Sequence, residues 1–177
     1  MRKNLGFTRF EFYFVIATVG LIISVGIQRY LQLAEETKRL NFEVIAKNFN
    51  AAVYNHHARW IMAQQQKTNI SELNIDGFKF QFSALGWPLS ITAQGATEKP
   101  DSIKNCLSLW NNLLLSPPSI SYNSGTSSRA FTYHLSLTPE GNCRFELITD
   151  QPQEYYFDYA PTNGKVTIYT PSITKNS

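Results

Sequence analysis

Residues 7–27 read FTRFEFYFVIATVGLIISVGI, and this stretch decides the architecture of the N-terminal part of the chain. Residues 12–27 carry no charge, and membrane helices tolerate the two glycines found there, Gly20 and Gly26. About 21 helical residues reach roughly 30 Å, the thickness of the hydrocarbon core of a bilayer. The stretch therefore predicts one transmembrane helix at 7–27.

A carboxylate stands at the start of this apolar stretch. Glu11 is costly there unless it finds a partner, and an intramembrane acid is a functional residue by default. Arg9 does not share a helix face with Glu11, because residues two apart diverge, and its long side chain can reach the cytoplasmic headgroups instead. Alternatively, Glu11 lies in the headgroup region and is solvated there.

The rest of the chain has the composition of one ordinary domain. The sequence has 177 residues, and its net charge is only +3 with scattered basic residues, so no nucleic-acid partner is predicted. Between residues 27 and 76 there is neither Gly nor Pro, which predicts one long helix over 7–66. Its second half carries an apolar stripe with steps of three and four: Phe42, Ile45, Phe49, Ala52 or Val53, His56 and Trp60.

Residues 67–177 predict an exported globular domain of strands and turns. Apolar and polar residues alternate at 78–82, and two hairpins are expected at 131–147 and 155–169, the second with an Asn163-Gly164 turn. A short helix is expected in DSIKNCLSLWNNLLL, whereas 67–77 and 86–101 are assigned no strand. The fold class is therefore α+β, a long N-terminal helix whose stripe covers an antiparallel sheet.

Two cysteines, Cys106 and Cys143, lie far beyond the membrane stretch. A lone pair in an exported domain predicts a disulfide between the short helix and the first hairpin, and two buried free thiols are the alternative. In the chain-entropy model, a bridge of this length stabilises by about 4 kcal/mol.

No catalytic residue, metal site or cofactor is predicted, and the chain is not expected to be an enzyme. His56 and His57 diverge by about 100° on a helix, so they chelate poorly; His56 is expected on the stripe and His57 in solvent. His134 has no accompanying nucleophile or acid-base pair. Three acids near the second hairpin match no defined calcium loop: Asp150, Glu154 and Asp158.

The N-terminus also permits a secretory signal peptide. Arg2 and Lys3 precede the apolar stretch, and 24–26 is a small-x-small triplet that could be cut after Gly26 to release a secreted binding module. Against this interpretation, Arg9 and Glu11 stand where the apolar centre should begin, and the residues after Gly26 continue a helix.

GFTRFE, followed by an apolar run and a long amphipathic helix, resembles the class III signal of type IV pilins and pseudopilins. The resemblance implies a leader peptide at 1–6, cleavage by a prepilin peptidase after Gly6 and N-methylation of Phe7. Arg9 and Phe10 stand where that family has aliphatic residues. The positions that match the family pattern are Gly6, Phe7, Thr8 and Glu11.

The resemblance also implies a partner for Glu11, namely the new terminal amine of Phe7 on a neighbouring subunit. It implies an inner-membrane, single-pass protein with a periplasmic head that later enters a surface pilus. The expected partners are other pilin subunits, the pilus assembly machinery and the prepilin peptidase.

Phrases in the head are similar to those of the mannose-sensitive haemagglutinin (MSHA) pilins: DGFKF, GWP, CLSLWNNLLLSPP, CRF and TNGKV. They imply a minor pilin that acts in pilus biogenesis and surface adhesion. A tip or priming position is favoured over the shaft, because Arg9 adds a charge to a packed fibre core. A pseudopilin of a type II secretion system is the alternative within the same family.

Overall fold

The computed structural model describes residues 9–65, 70–93, 102–122, 131–149 and 154–171. The chain forms two compact units, Met1–Leu40 and Asn41–Ser177. Helix α1 spans Arg9–Gln64 and contributes to both. The other elements are β1 (Glu72–Ile75), β2 (Phe78–Phe82), β3 (Pro88–Ala93), α2 (Ser102–Leu113), β4 (Ile120–Ser121), β5 (Tyr133–Leu137), β6 (Cys143–Leu147), β7 (Tyr156–Ala160) and β8 (Lys165–Tyr169). The α+β composition predicted from the sequence is confirmed.

The part of α1 in the second unit buries one face. Three residues of the predicted stripe are fully buried, namely Phe42, Phe49 and Val53, and Ala46 joins them although it was not predicted. Ile45, Ala52 and Trp60 are partly buried against the same core. The steps of three and four place these side chains on one side of the helix.

A five-stranded sheet lies under this face, with the strand order β4-β5-β6-β7-β8. The two predicted hairpins are confirmed as the antiparallel pairs β5-β6 and β7-β8, whereas the two-residue β4 runs parallel to β5. Alternate strand residues point to the core. The buried residues of β5, β6 and β7 are Tyr133, Leu135, Cys143, Phe145, Phe157 and Tyr159.

Aromatic rings fill the core between the helices and the sheet. The ring centroid of Phe49 lies 5.2 Å from that of Phe145 and 5.4 Å from that of Phe157. Trp110 of α2 stacks on Phe145 at 5.0 Å, and its indole N–H donates to the Pro118 carbonyl at 2.9 Å. Both helices therefore cover the same face of the sheet.

A second, three-stranded antiparallel sheet, β1-β2-β3, corrects the single sheet expected from the sequence. Strands β1 and β3 lie in segments to which no strand was assigned. β1 buries only Ile75, so the alternation of buried and exposed residues is weak there. β3 begins at Pro88, and proline is tolerated at the first position of a strand. Asp76 and Gly77 both have positive φ, 52° and 85°, and form the tight β1-β2 turn.

Two hydrogen bonds tie this second sheet to the rest of the unit. The Tyr159 hydroxyl donates to the Pro88 carbonyl at 2.7 Å, and the Ile91 N–H donates to Ser108 Oγ at 3.0 Å. Burial raises the pKa of Tyr159, which keeps its hydroxyl protonated as a donor.

Candidate functional site

The N-terminal apolar segment, Arg9–Tyr30, is the first candidate site. It has 22 residues and is long and apolar enough to cross a bilayer. No residue of its most apolar part is buried within the chain. Bulky side chains lie exposed all round it, with Phe10 at 80%, Phe14 at 63% and Ile22 at 69% exposure. Such a surface requires lipid or another protein as its partner.

Thr18 shows how the segment satisfies its polar groups internally. The Thr18 hydroxyl lies 3.0 Å from the Phe14 carbonyl and 2.9 Å from the Val15 carbonyl, one turn earlier in the helix. A hydroxyl that bonds its own helix can enter hydrocarbon at low cost.

Glu11 occupies the first turn of α1, where the positive end of the helix dipole favours a carboxylate. With Phe10, Phe14 and Val15 it lines an open recess of about 300 Å³. Gly6 and Phe7, the residues expected at the prepilin cleavage and methylation site, lie outside the described residues, as does the whole leader at 1–6.

The disulfide predicted between Cys106 and Cys143 is present. It joins α2 to β6 with the Cα atoms 5.7 Å apart, and both cysteines are buried. The bond closes a loop over a sequence separation of 37, which stabilises by about 4 kcal/mol if chain entropy dominates.

The adjacent histidines point to different partners. His56 stacks on Phe80 with the ring centroids 4.5 Å apart, and its Nδ1–H donates to the Ala52 carbonyl at 2.8 Å. Burial is the main cause that lowers the pKa of His56, with a smaller lowering from Arg59. This placement of His56 on the stripe confirms the expectation.

The expectation that His57 faces solvent is wrong. Its ring stacks on Trp87 at 3.8 Å, and its Nδ1–H donates to the Gly86 carbonyl at 2.8 Å. Trp87 also packs on Gly164, where a Cβ would overlap the indole ring. Sequence reasoning missed Trp87 because Gly164 approaches it only through the tertiary fold, although the Asn163-Gly164 turn itself was predicted.

Asp158 and His134 are engaged in structural contacts. Both oxygens of Asp158 accept from Arg144, at 2.8 and 2.7 Å, and this hydrogen bonding is the main cause that raises the pKa of Arg144. Ser121 Oγ lies 3.3 Å from His134 Nδ1. Asp150 lies outside the described residues. In the described ranges, no group of three His, Cys, Asp or Glu side chains is placed to hold a metal ion.

Two features therefore carry functional information: an exposed apolar helix with a carboxylate at its start, and an α+β unit closed by a disulfide. The chain matches no protein-family model, no curated protein and no solved structure.

Proposed function

We propose that the chain is a minor pilin subunit of an MSHA-type type IV pilus. A prepilin peptidase cuts it after Gly6 and methylates Phe7. The apolar helix then holds it in the inner membrane, with the head in the periplasm, until assembly brings it into a surface pilus. Its roles are pilus biogenesis and surface adhesion, through contacts with other pilin subunits and the assembly machinery.

One observation carries the proposal: the apolar segment is exposed around its whole circumference and has Glu11 in its first turn. The exposed apolar side chains of such a helix are buried by partners outside its own chain. It is suited both to storage in a bilayer and to packing with copies in a fibre.

The pairing of charges gives the assembly its axial register. Cleavage creates a positive amine at Phe7, four residues before Glu11, and stagger between adjacent helices brings the two groups together. At an effective dielectric constant of 20, unit charges 4 Å apart attract by about 4 kcal/mol. Because leaving either ion unpaired in a dry core is costly, misregistered packing is disfavoured.

Mass analysis of the N-terminus of the mature protein tests the processing. We expect a chain that begins with N-methylated Phe7. A secretory signal sequence can be as long and as apolar as a membrane helix. A mature chain that begins at Ile27 would therefore identify a secreted module and overturn the proposal. A chain that still begins with Met1 would also overturn it, because no cleavage would have taken place.

A Glu11→Ala substitution tests the assembly mechanism in cells. We expect processing to continue while the amount of the subunit in sheared pili falls at least tenfold. Glu36→Ala is the matched control, because Glu36 is exposed on the same helix beyond the apolar segment, and it should leave incorporation unchanged. Normal incorporation of Glu11→Ala would contradict the pairing.

A pseudopilin of a type II secretion system shares this processing and assembly. Shearing separates the two, because a pseudopilus subunit stays with the cell envelope while a pilus subunit is recovered in the sheared fraction.

A further inference from the structure

Two tyrosines stand opposite each other on neighbouring strands at the β8 end of the five-stranded sheet. Tyr156 of β7 is the register partner of Tyr169 of β8. Their ring centroids lie 4.5 Å apart, and the ring planes differ by only 19°. Since Phe157, the next residue of β7, is buried in the core, Tyr156 points to the opposite face of the sheet. The two phenol rings, which we call the tyrosine pair, are therefore stacked on each other outside the core.

A charged neighbour helps to hold the tyrosine pair in place. The guanidinium carbon of Arg144 on β6 lies 4.2 Å from the ring centroid of Tyr156. Arg144 is itself fixed, because both carboxylate oxygens of Asp158 accept hydrogen bonds from it at 2.8 and 2.7 Å. Tyr156 thus contacts Arg144 on one neighbouring strand and Tyr169 on the other. Cross-strand contacts of this kind keep the two rings together in the folded state.

The tyrosine pair is accessible from solvent, whereas other tyrosines of the same sheet are not. Tyr169 is 43% exposed and Tyr156 is partly buried. Tyr133 and Tyr159 are buried in the core. A one-electron oxidant in solution can therefore reach the stacked pair and is kept away from the two core tyrosines.

Oxidation of two phenols in contact leads to a covalent bond between them. The oxidant takes one electron from each phenol, and each hydroxyl releases its proton. The two phenoxyl radicals then form one carbon–carbon bond between the ring positions ortho to the oxygens, and the hydrogens of these two carbons move to the oxygens to restore two phenols. Overall, two tyrosines lose two electrons and two protons and become one dityrosine. Because the rings are already held together, coupling within the pair is faster than coupling between chains in dilute solution.

We propose that Tyr156 and Tyr169 are a site of oxidative crosslinking, at which a one-electron oxidant of the haem-peroxidase class joins β7 to β8 through dityrosine. β8 is the last strand of the described five-stranded sheet, so the new bond fastens an edge strand. The inference goes beyond fibre assembly and does not need it. A chain that fails to enter pili can still form the crosslink, and a correctly processed pilin can lack it.

Peptide mass analysis of the full chain in detergent micelles tests the proposal, after treatment of a dilute sample with a haem peroxidase and hydrogen peroxide. One peroxide accepts the two electrons and two protons and becomes two waters. Trypsin then separates residues 145–165 from residues 166–175, in which Tyr169 is the one tyrosine. In the monomeric fraction we expect these peptides to be joined, with a mass two hydrogens below their sum, and fragmentation to place the bond at Tyr156. Unlinked peptides, links found only between chains, or a bond at another tyrosine of 145–165 would overturn the proposal.

Three conservative variants locate the bond. Tyr156→Phe and Tyr169→Phe keep a stacked ring but lack the hydroxyl that gives up its proton, so each should lower the yield of the joined peptides about tenfold or more. Tyr122→Phe is the matched control, because Tyr122 is 39% exposed and follows β4 at the opposite end of the sheet. Its yield should equal that of the native chain. A yield that Tyr156→Phe leaves unchanged, or that Tyr122→Phe lowers equally, would refute the assignment.

Discussion

Two phenylalanines of helix α1, Phe14 and Phe49, show how differently the two units use apolar residues. Phe14 is 63% exposed, whereas Phe49 is fully buried against the sheet. Around Phe14 the apolar residues surround the helix, and around Phe49 they occupy one face. The comparison teaches that the arrangement of apolar residues indicates where their partner lies: inside the chain for a stripe, and outside it for a continuous surface.

The difference has an energetic consequence. Burial of a Phe side chain stabilises by about 1.5–3 kcal/mol, and Phe49 contributes this to the folding of its own unit. For Phe14, burial of the same apolar surface requires a partner outside the chain, such as lipid or another protein. Substitutions in the two regions should therefore separate folding from membrane insertion and assembly.

The sharpest test compares Phe49→Ala with Phe14→Ala. We expect Phe49→Ala to lower the free energy of unfolding by about 4 kcal/mol, because it leaves a cavity among the aromatic rings. Phe14→Ala should change it by less than about 0.5 kcal/mol. Denaturant titration followed by tryptophan fluorescence measures both, since Trp60, Trp87 and Trp110 all lie in the second unit. Equal losses of stability in the two variants would show that Phe14 and Phe49 do not differ in their contribution to folding.

Removal of the disulfide should affect the second unit alone. The Cys106→Ala/Cys143→Ala double variant should lose up to about 4 kcal/mol of stability by the same measurement. The helical signal of the apolar segment should persist in micelles. Reductant should lower the stability of the native protein and leave that of the double variant unchanged. If reductant also destabilised the double variant, the loss would have a cause other than the disulfide.

The turn glycines test how far the second unit depends on distant contacts. Gly164 and Gly141 have similar φ values, 71° and 80°, but only Gly164 lies against an indole ring. Gly141→Ala should cost about 1 kcal/mol for its backbone conformation. Gly164→Ala should cost about 3 kcal/mol, since Trp87 must also move. Equal losses in thermal or denaturant unfolding would show that this packing contributes nothing.

The smallest expected effect is a pH dependence at His56. Its pKa is lowered in the folded state, chiefly by burial, so the unfolded chain binds more protons below the unfolded pKa of about 6.5. The free energy of unfolding therefore keeps its full value above pH 6.5, as far as His56 is concerned, and declines as the pH falls toward the folded pKa. His56→Gln should flatten the slope between pH 7 and 5. An unchanged slope would assign it to another group.

Local patterns predicted much of this molecule. The stripe of α1, helix α2 and the two hairpins were predicted because their apolar residues recur with the period of their own element. Sequence also supplied Glu11 as the candidate assembly residue, since a carboxylate in an apolar run is unusual wherever the chain folds. β1 does not follow from the sequence because only Ile75 is buried, and β3 does not because Gly86 and Pro88 at its start are typical of a turn.

The position of His57 could not be predicted, because it depends on segments that come together only after folding. Likewise, Arg59 of α1 and Asn112 of α2 line one recess only in the folded chain, where α2 and the β1-β2 hairpin lie beside α1. His57 becomes partly buried when a different part of the chain brings Trp87 against it. The periodicity of apolar residues describes one helix or strand at a time and contains no information about contacts between different elements.

The sequence by itself determined that an apolar helix begins the chain, that an amphipathic helix continues it and that two cysteines follow in an α+β unit. These features depend on the period and chemistry of consecutive residues. Only the tertiary structure decided that there are two sheets, that β4 runs parallel to β5 and that His57 stacks on Trp87. Those outcomes depend on distances between residues that the order of the chain does not fix.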